Sequence, residues 1–203
     1  MNVLFVASGN SKNFTVAPFI KAQGEALLKR NIQIDYFLIT EKGIKGYLTS
    51  IPKLRKQLKQ KNYNLVHAHY ALSGWVAILS LTKKPIVVSY MGCDTYGDFD
   101  KHGHLKLIGL INIILGKLLQ PFCNAIIVKS KNLEKYIYLK KRLFVIPNGV
   151  DLKTFYYVEK QFARRQLKYE LDNKYVLFLA DPLNMRKNIE LLNQLIHKIC
   201  YCK

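Results

Sequence analysis

Two histidines, His67 and His69, close the short run Leu65 to His69. Successive side chains of an extended chain point to opposite faces, so both rings share one face, with His69 at the carboxyl end. His69 is the candidate site residue, and His67 reads as a hydrogen-bonded structural histidine. A metal centre needs further ligands. His102 and His104 repeat the spacing, but nothing in it draws the two pairs together, and no metal is expected. A second candidate is Tyr90 to Gly97, where Gly92 and Gly97 permit turns and Asp94 places a carboxylate that either serves a cleft or forms the turn. Asp98-Phe99-Asp100 carries a metal-like acidic spacing but follows a loop instead of a buried strand, and is discounted. The third candidate is the loop Ser8 to Phe14. Its single glycine, Gly9, lacks the three-glycine fingerprint of dinucleotide enzymes, which disfavours nicotinamide or flavin chemistry. Gly9 and Asn10 either offer N–H groups to phosphate or sugar oxygens ahead of a helix N-terminus, or form a solvated turn.

The elements that must position these residues alternate. Short apolar, β-branched runs occur at Val3 to Ala7, Gln33 to Ile39, Leu65 to His69, Pro85 to Ser89, Ala125 to Lys129 and Leu143 to Ile146. Helical patterns lie between them at Val16 to Arg30, Leu48 to Lys59, Trp75 to Leu81, His104 to Gln120 and Leu133 to Leu139. Alternation with continuously apolar strands predicts an α/β fold, a Rossmann-like doubly wound parallel sheet with ligands at the carboxyl ends of its strands. Residues 1–150 form that domain. Residues 151–173 become charged and aromatic and read as a linker. Residues 174–203 hold a further strand, Tyr175 to Ala180, and a helix from about Lys187 to Ile199: the opening βα unit of a second, incomplete domain. One such unit cannot bury its own faces, because a lone strand has no ladder partner.

Thirty-two Lys and Arg against 13 Asp and Glu give a formal net charge of +19 on 203 residues, and 50% of the chain is hydrophobic, enough for a substantial core. Disorder is excluded. The charge calls for an anionic partner, and nucleic acid, anionic phospholipid and phosphorylated substrate share that sign. No nucleic-acid-binding motif is present, so no specific nucleic acid is expected. Cys93, Cys123, Cys200 and Cys202 show no disulfide framework, and the Cys-x-Cys ending lacks a second ligand pair. The first apolar run is too short for a signal sequence, and a cytoplasmic location is expected. The stretch Leu105 to Leu119, broken by Lys106, Asn112 and Lys117, falls short of the about 20 residues a membrane span takes. As a helix it gathers Lys106, Gly109, Asn112, Gly116, Lys117 and Gln120 on one arc of about 140° and leaves a broad apolar face. That face either packs on the sheet or lies in a membrane interface. Reversible, salt-sensitive attachment to the anionic inner face of a membrane is the matching expectation.

The run Leu143-Phe144-Val145-Ile146-Pro147-Asn148-Gly149-Val150-Asp151, then Phe155 and Ala163-Arg164-Arg165-x-Leu167, resembles the interdomain segment of family-4 glycosyltransferases of the GT-B fold. Tyr63 to His69 is similar to that family's third strand, Ala125 to Ser130 to its fifth, and Val176 to Pro182 with Arg186-Lys187-Asn188 to the strand and basic turn that contact the donor diphosphate. The resemblance implies two Rossmann-like halves, here the acceptor-binding half and the start of the donor half. It implies retaining transfer of a sugar from a nucleotide sugar to a glycan or lipid-linked acceptor, with no metal or other cofactor. Gly9, Asn10, His69, Met91, Gly92 and Asp94 would line the acceptor cleft, and Arg186 and Lys187 would hold the diphosphate; Arg gives a planar fork to phosphate, Lys a point charge. Two departures stand out. The family's fourth-strand loop often places a histidine on the donor sugar where this chain has Met91, and the acidic pair that binds donor sugar and ribose later in the second domain is not matched within residue 203. No general base is identifiable, and the chain alone is expected to be inactive. A non-catalytic basic module that binds an anionic membrane or nucleic acid is the alternative reading.

Overall fold

The computed structural model describes residues 1–11, 13–100, 102–182 and 187–201, with residues 199–201 as backbone only. Six parallel strands, β1 (Asn2–Ser8), β2 (Gln33–Ile39), β3 (Leu65–His69), β4 (Ile86–Tyr90), β5 (Ala125–Val128) and β6 (Leu143–Val145), form one sheet in the order β2-β1-β3-β4-β5-β6. The chain winds from β1 outward to β2 and then returns past β1 to β3. That reversal puts a switch point between the carboxyl ends of β1 and β3, where a doubly wound sheet leaves a crevice. The register confirms the neighbourhood, with Val6 opposite Ala68 and His69 opposite Ser89.

Alternation sends the two sides of each strand into different surroundings. Leu4, Val6, Val66, Ala68, Val88, Tyr90, Ile126 and Val128 share one core cluster with Ala71, Val76 and Ala77 of α3 (Ala71–Leu79) and Leu54 of α2 (Gly43–Gln60). Val3, Phe5 and Ala7 face the other way, against Ile20 of α1 (Pro18–Leu28). Beside Phe5 on that second face, β3 and β4 contribute polar groups: His67, His69 and Ser89 are all buried. The histidines thus stand where apolar packing would otherwise continue.

After the short α4 (Cys93–Tyr96) comes α5 (Leu107–Leu119), which packs inside-out relative to an ordinary surface helix. Its small and polar stripe faces inward: Gly109, Gly116, Leu119 and Gln120 are buried, and Asn112 is half-buried. A Cβ at Gly109 or Gly116 would run into the backbone of Asp98 or Asp94, so only glycine lets the helix approach this closely. Tyr90 Oη donates to the Gly116 carbonyl at 2.6 Å, and Trp75 Nε1 donates to that of Leu115 at 3.0 Å. Gln120 is fully satisfied inside, accepting from Tyr138 N at 3.0 Å and donating to Tyr136 O at 3.4 Å. Leu107, Leu110, Ile111, Ile114 and Leu118 are left in solvent. The broad apolar face therefore does not pack on the sheet; the inward side is the glycine stripe, held against the backbone of Asp94 and Asp98. Among the described residues no helix is long and apolar enough to cross a membrane.

The chain divides into two compact units, residues 1–100 with 105–149, and residues 101–104 with 150–203. The four-residue helix α6 (Lys131–Glu134) belongs to the first unit. In the second, Glu159 caps α7 (Lys160–Gln166), whose Phe162 N–H donates to Glu159 Oε2 at 2.8 Å. Arg164 donates to the carbonyls of Leu171 and, at 2.7 Å, Asn173, and lies over the Tyr175 ring. Asn188 Oδ1 accepts from Leu191 N at 3.1 Å at the start of α8 (Ile189–Tyr201). The expected strand Tyr175 to Ala180 is not formed: residues 174–179 have no regular structure, and Val176, Leu177 and Leu179 are exposed. Among the described residues no strand pairs with it to complete a ladder.

Candidate functional site

At the end of β1, the Gly9 N–H donates to Ile39 O at 2.9 Å, binding the loop to the end of β2. A Cβ on Gly9 would meet Leu38 Cβ at 2.8 Å, which fixes glycine there. Asn10 accepts from Ser8 Oγ at 2.8 Å and reaches Glu41 O at 3.5 Å, so its side chain spans the loops after β1 and β2.

One strand over, the His67 and His69 rings stack at 4.3 Å, with Phe5 edge-on to both. His67 Nε2 lies 2.9 Å from Ser89 Oγ. Neither ring nitrogen of His69 has a hydrogen-bond partner among the described residues, although the side chain is buried. Burial pushes His67 down to about 3 and His69 well below the usual imidazole range, with the nearby Lys129 ammonium adding to both. Both rings are therefore neutral at neutral pH.

Asp94 resolves its two readings by geometry. Its carboxylate accepts from the N–H groups of Met91 and Gly92, each at 2.9 Å, and from Ala71 N at 3.0 Å, the first residue of α3. It closes the β4 turn, caps α3 and ties the β3 and β4 ends together, with negative charge at the positive end of the helix. Burial raises it to about 6 against the pull of those amides. The group is buried and presents no oxygen to a cleft. Tyr70, just past β3, extends the pairing with β4 by donating its N–H to Ser89 O at 2.9 Å, at a φ of +89°, a region a tyrosine occupies only when its surroundings hold it there.

Gly9, His69 and the Met91–Asp94 turn thus stand at the ends of three adjacent strands, β1, β3 and β4. What faces solvent there differs from what the sequence indicates. Met91 and Gly92 line an open hollow with Tyr96, Ser130, Asn132 and Tyr136, between the ends of β4 and β5. Gly92, at φ +115°, accommodates the Tyr96 ring, which a Cβ would touch at 2.9 Å. Tyr70, Lys129 and Ser130 escaped the sequence reading. Lys129 and Ser130 follow β5 directly, so the strand-end rule was a usable signal for them; the Tyr70 backbone left no trace in the sequence. Lys187 belongs to the second unit and is exposed ahead of α8, and Arg186 lies outside the described residues. The His102 and His104 rings are 6.2 Å apart, and among the described residues no group of three metal-binding side chains comes together.

A six-strand parallel sheet in this order, with helices on both faces, defines a Rossmann-like, doubly wound α/β domain. The model of Glycosyltransferase Family 4 matches residues 13–154, and the chain belongs to that family. No curated protein sequence matches it. Among solved structures it is similar to sucrose-phosphate synthase from Thermosynechococcus elongatus (TM-score 0.63, 20% identity, 84% of this chain and 53% of that one). It is also similar to HepE from Anabaena in complex with UDP and glucose (TM-score 0.53, 16% identity, 81% and 50%). The chain therefore spans about half the length of these two proteins. A second structure of the synthase matches over 83% of this chain and 99% of that one, at TM-score 0.51 and 16% identity.

Proposed function

We propose that this chain is the acceptor-binding half of a glycosyltransferase that moves a sugar, with retention, from a nucleotide sugar to a glycan or lipid-linked acceptor in the cytoplasm. Residues 1–150 form that half, 151–173 link it, and 174–203 open the donor half. The carrying observation is the family match over residues 13–154 together with Gly9, His69 and the Met91–Asp94 turn at three adjacent strand ends. Gly9 and Asn10 supply uncharged surroundings suited to hydroxyl groups, backed by the buried, neutral His69. Asp94 acts as a positioning residue that fixes the Met91-Gly92 backbone. Arg186 and Lys187 are assigned to the donor diphosphate, whose charge grows as the leaving group departs, and the reading includes no metal. Positioning groups act only together, so a chain with half the cleft turns over negligibly.

Methyl NMR tests the reading directly. Labelled methionine gives Met91 its own signal at the hollow, and titration with glycan acceptors to millimolar concentration should shift it while leaving Met1 in place. A Met91 signal unmoved by every glycan would overturn the acceptor assignment. Turnover of a nucleotide-sugar panel at an ordinary enzymatic rate, roughly 1 per second or more, would overturn the half-cleft reading.

A further inference from the structure

The outward side of α5 is an exposed apolar surface, on the helix side where polar residues belong. Leu107 is 74% exposed and Leu118 56%, with Leu110, Ile111 and Ile114 between them and Phe122 beyond the helix end. A contiguous apolar strip of this kind on a folded surface marks a partner. Its surroundings state the partner's charge. Between Asp100 and Glu134 the sequence has no acidic residue, and Lys106 and Lys117 stand on one edge of the strip. Past the helix end, Lys140, Lys141 and Arg142 line a hollow with Pro121; Arg142 donates to Pro121 O at 3.2 Å and to Cys123 O at 2.7 Å, which holds the cluster beside that end.

We propose that α5 docks this protein on an anionic lipid membrane, its leucine and isoleucine face entering the boundary between headgroups and acyl chains while Lys140, Lys141 and Arg142 take lipid phosphates. The mode differs from attachment by charge alone. An apolar helix face flanked by cations is the combination that gains both from burial of apolar area and from a negative surface potential. A second copy fits worse. The net charge of +19 repels a like molecule, and one face of a 13-residue helix, about 20 Å long and about 10 Å wide, is small beside the about 800 Å² per partner of a stable interface. Lys106 shares its charge with Asp98 at 3.4 Å, so the Lys140–Arg142 cluster carries more of the headgroup contact.

The test is sedimentation of the 203-residue protein with vesicles of phosphatidylcholine alone or with 30% phosphatidylglycerol, at 0.05 M and 0.5 M salt. Binding is expected to be several-fold stronger on the anionic vesicles at 0.05 M salt and to fall at 0.5 M salt to the weaker, salt-resistant level also seen on phosphatidylcholine alone. The triple variant Leu107→Gln, Ile111→Gln, Leu118→Gln, all exposed positions, should lose binding at least tenfold at both salt concentrations with its circular dichroism unchanged. Lys140→Gln with Lys141→Gln, which spares the carbonyl bonds of Arg142, should weaken anionic binding several-fold and leave the salt-resistant part. Failure to bind anionic vesicles at low salt overturns the proposal, as does full binding by the triple variant, which would leave charge alone as the cause. Concentration-dependent dimers that the triple variant abolishes, without vesicle binding, would assign the strip to a second copy instead. None of these outcomes depends on glycosyl transfer.

Discussion

Val3-Leu4-Phe5-Val6-Ala7 and Val176-Leu177-Phe178-Leu179-Ala180 differ at one position of five, yet the first is the buried centre of the sheet and the second has no regular structure. Leu4 is 0% exposed and Leu177 is 76% exposed. The first segment has β2 on one side and β3 on the other, and helices over both faces. Among the described residues no strand pairs with the second. A strand is therefore a property of its neighbours: the pleat and ladder hydrogen bonds exist only between chains, and β propensity mostly measures fit to a surface that something else supplies.

The sharpest way to break this comparison is to truncate the same position in both segments. Leu4→Ala should cost about 3–4 kcal/mol, the range for a leucine cut from a packed core, whereas Leu177→Ala should stay within about 0.5 kcal/mol. Urea unfolding of each variant reads this; equal losses would mean that residues 176–180 are paired and packed in solution.

The next effect is on pH. A histidine held neutral by burial has a folded pKa below its unfolded one, so the native state binds fewer protons between the two values and stability rises with pH across that window. His67, at about 3 against 6.5, and His69, also depressed, act in this sense. Asp94, raised from 3.8 to about 6, acts oppositely, since the native state holds a proton the unfolded state has released. Two histidines outweigh one aspartate, so unfolding free energy should rise with pH between about pH 4 and about pH 6. A flat or falling profile would show that the rings are solvated. In the second unit Glu159, the one clearly shifted group among its described residues, is exposed, so the slope reports the paired sheet.

Asp94→Asn sharpens both points. It turns an amide donor toward one of three backbone N–H groups and should cost about 1–3 kcal/mol, while removing the opposing charge and steepening the pH profile. Calorimetry at several pH values distinguishes this from a plain cavity effect, which would leave the slope unchanged. Smallest of all, Leu107→Gln on the outward face of α5 should change stability by less than about 0.5 kcal/mol, although Leu119→Ala on the same helix should cost about 2–4 kcal/mol. A large loss at Leu107 would mean that the face is covered in the free protein.

By itself the sequence determined the alternation of strands and helices, the parallel sheet, the family, and which strand ends carry the candidate residues. Those follow from local signals: continuous apolar runs, glycines at turns, and the Ile146 to Asp151 motif, each readable without knowing what lies opposite. The tertiary structure alone decided that Asp94 turns inward to cap α3, that His69 is sealed beside Phe5, that Tyr70 is held at positive φ, and that α5 presents its apolar side to solvent. Each of these depends on a partner distant in sequence. The α5 case states the reason most clearly: periodicity separates two faces of a helix, but which one is buried was set by the backbone of Asp94 and Asp98, close enough that only glycine could meet it.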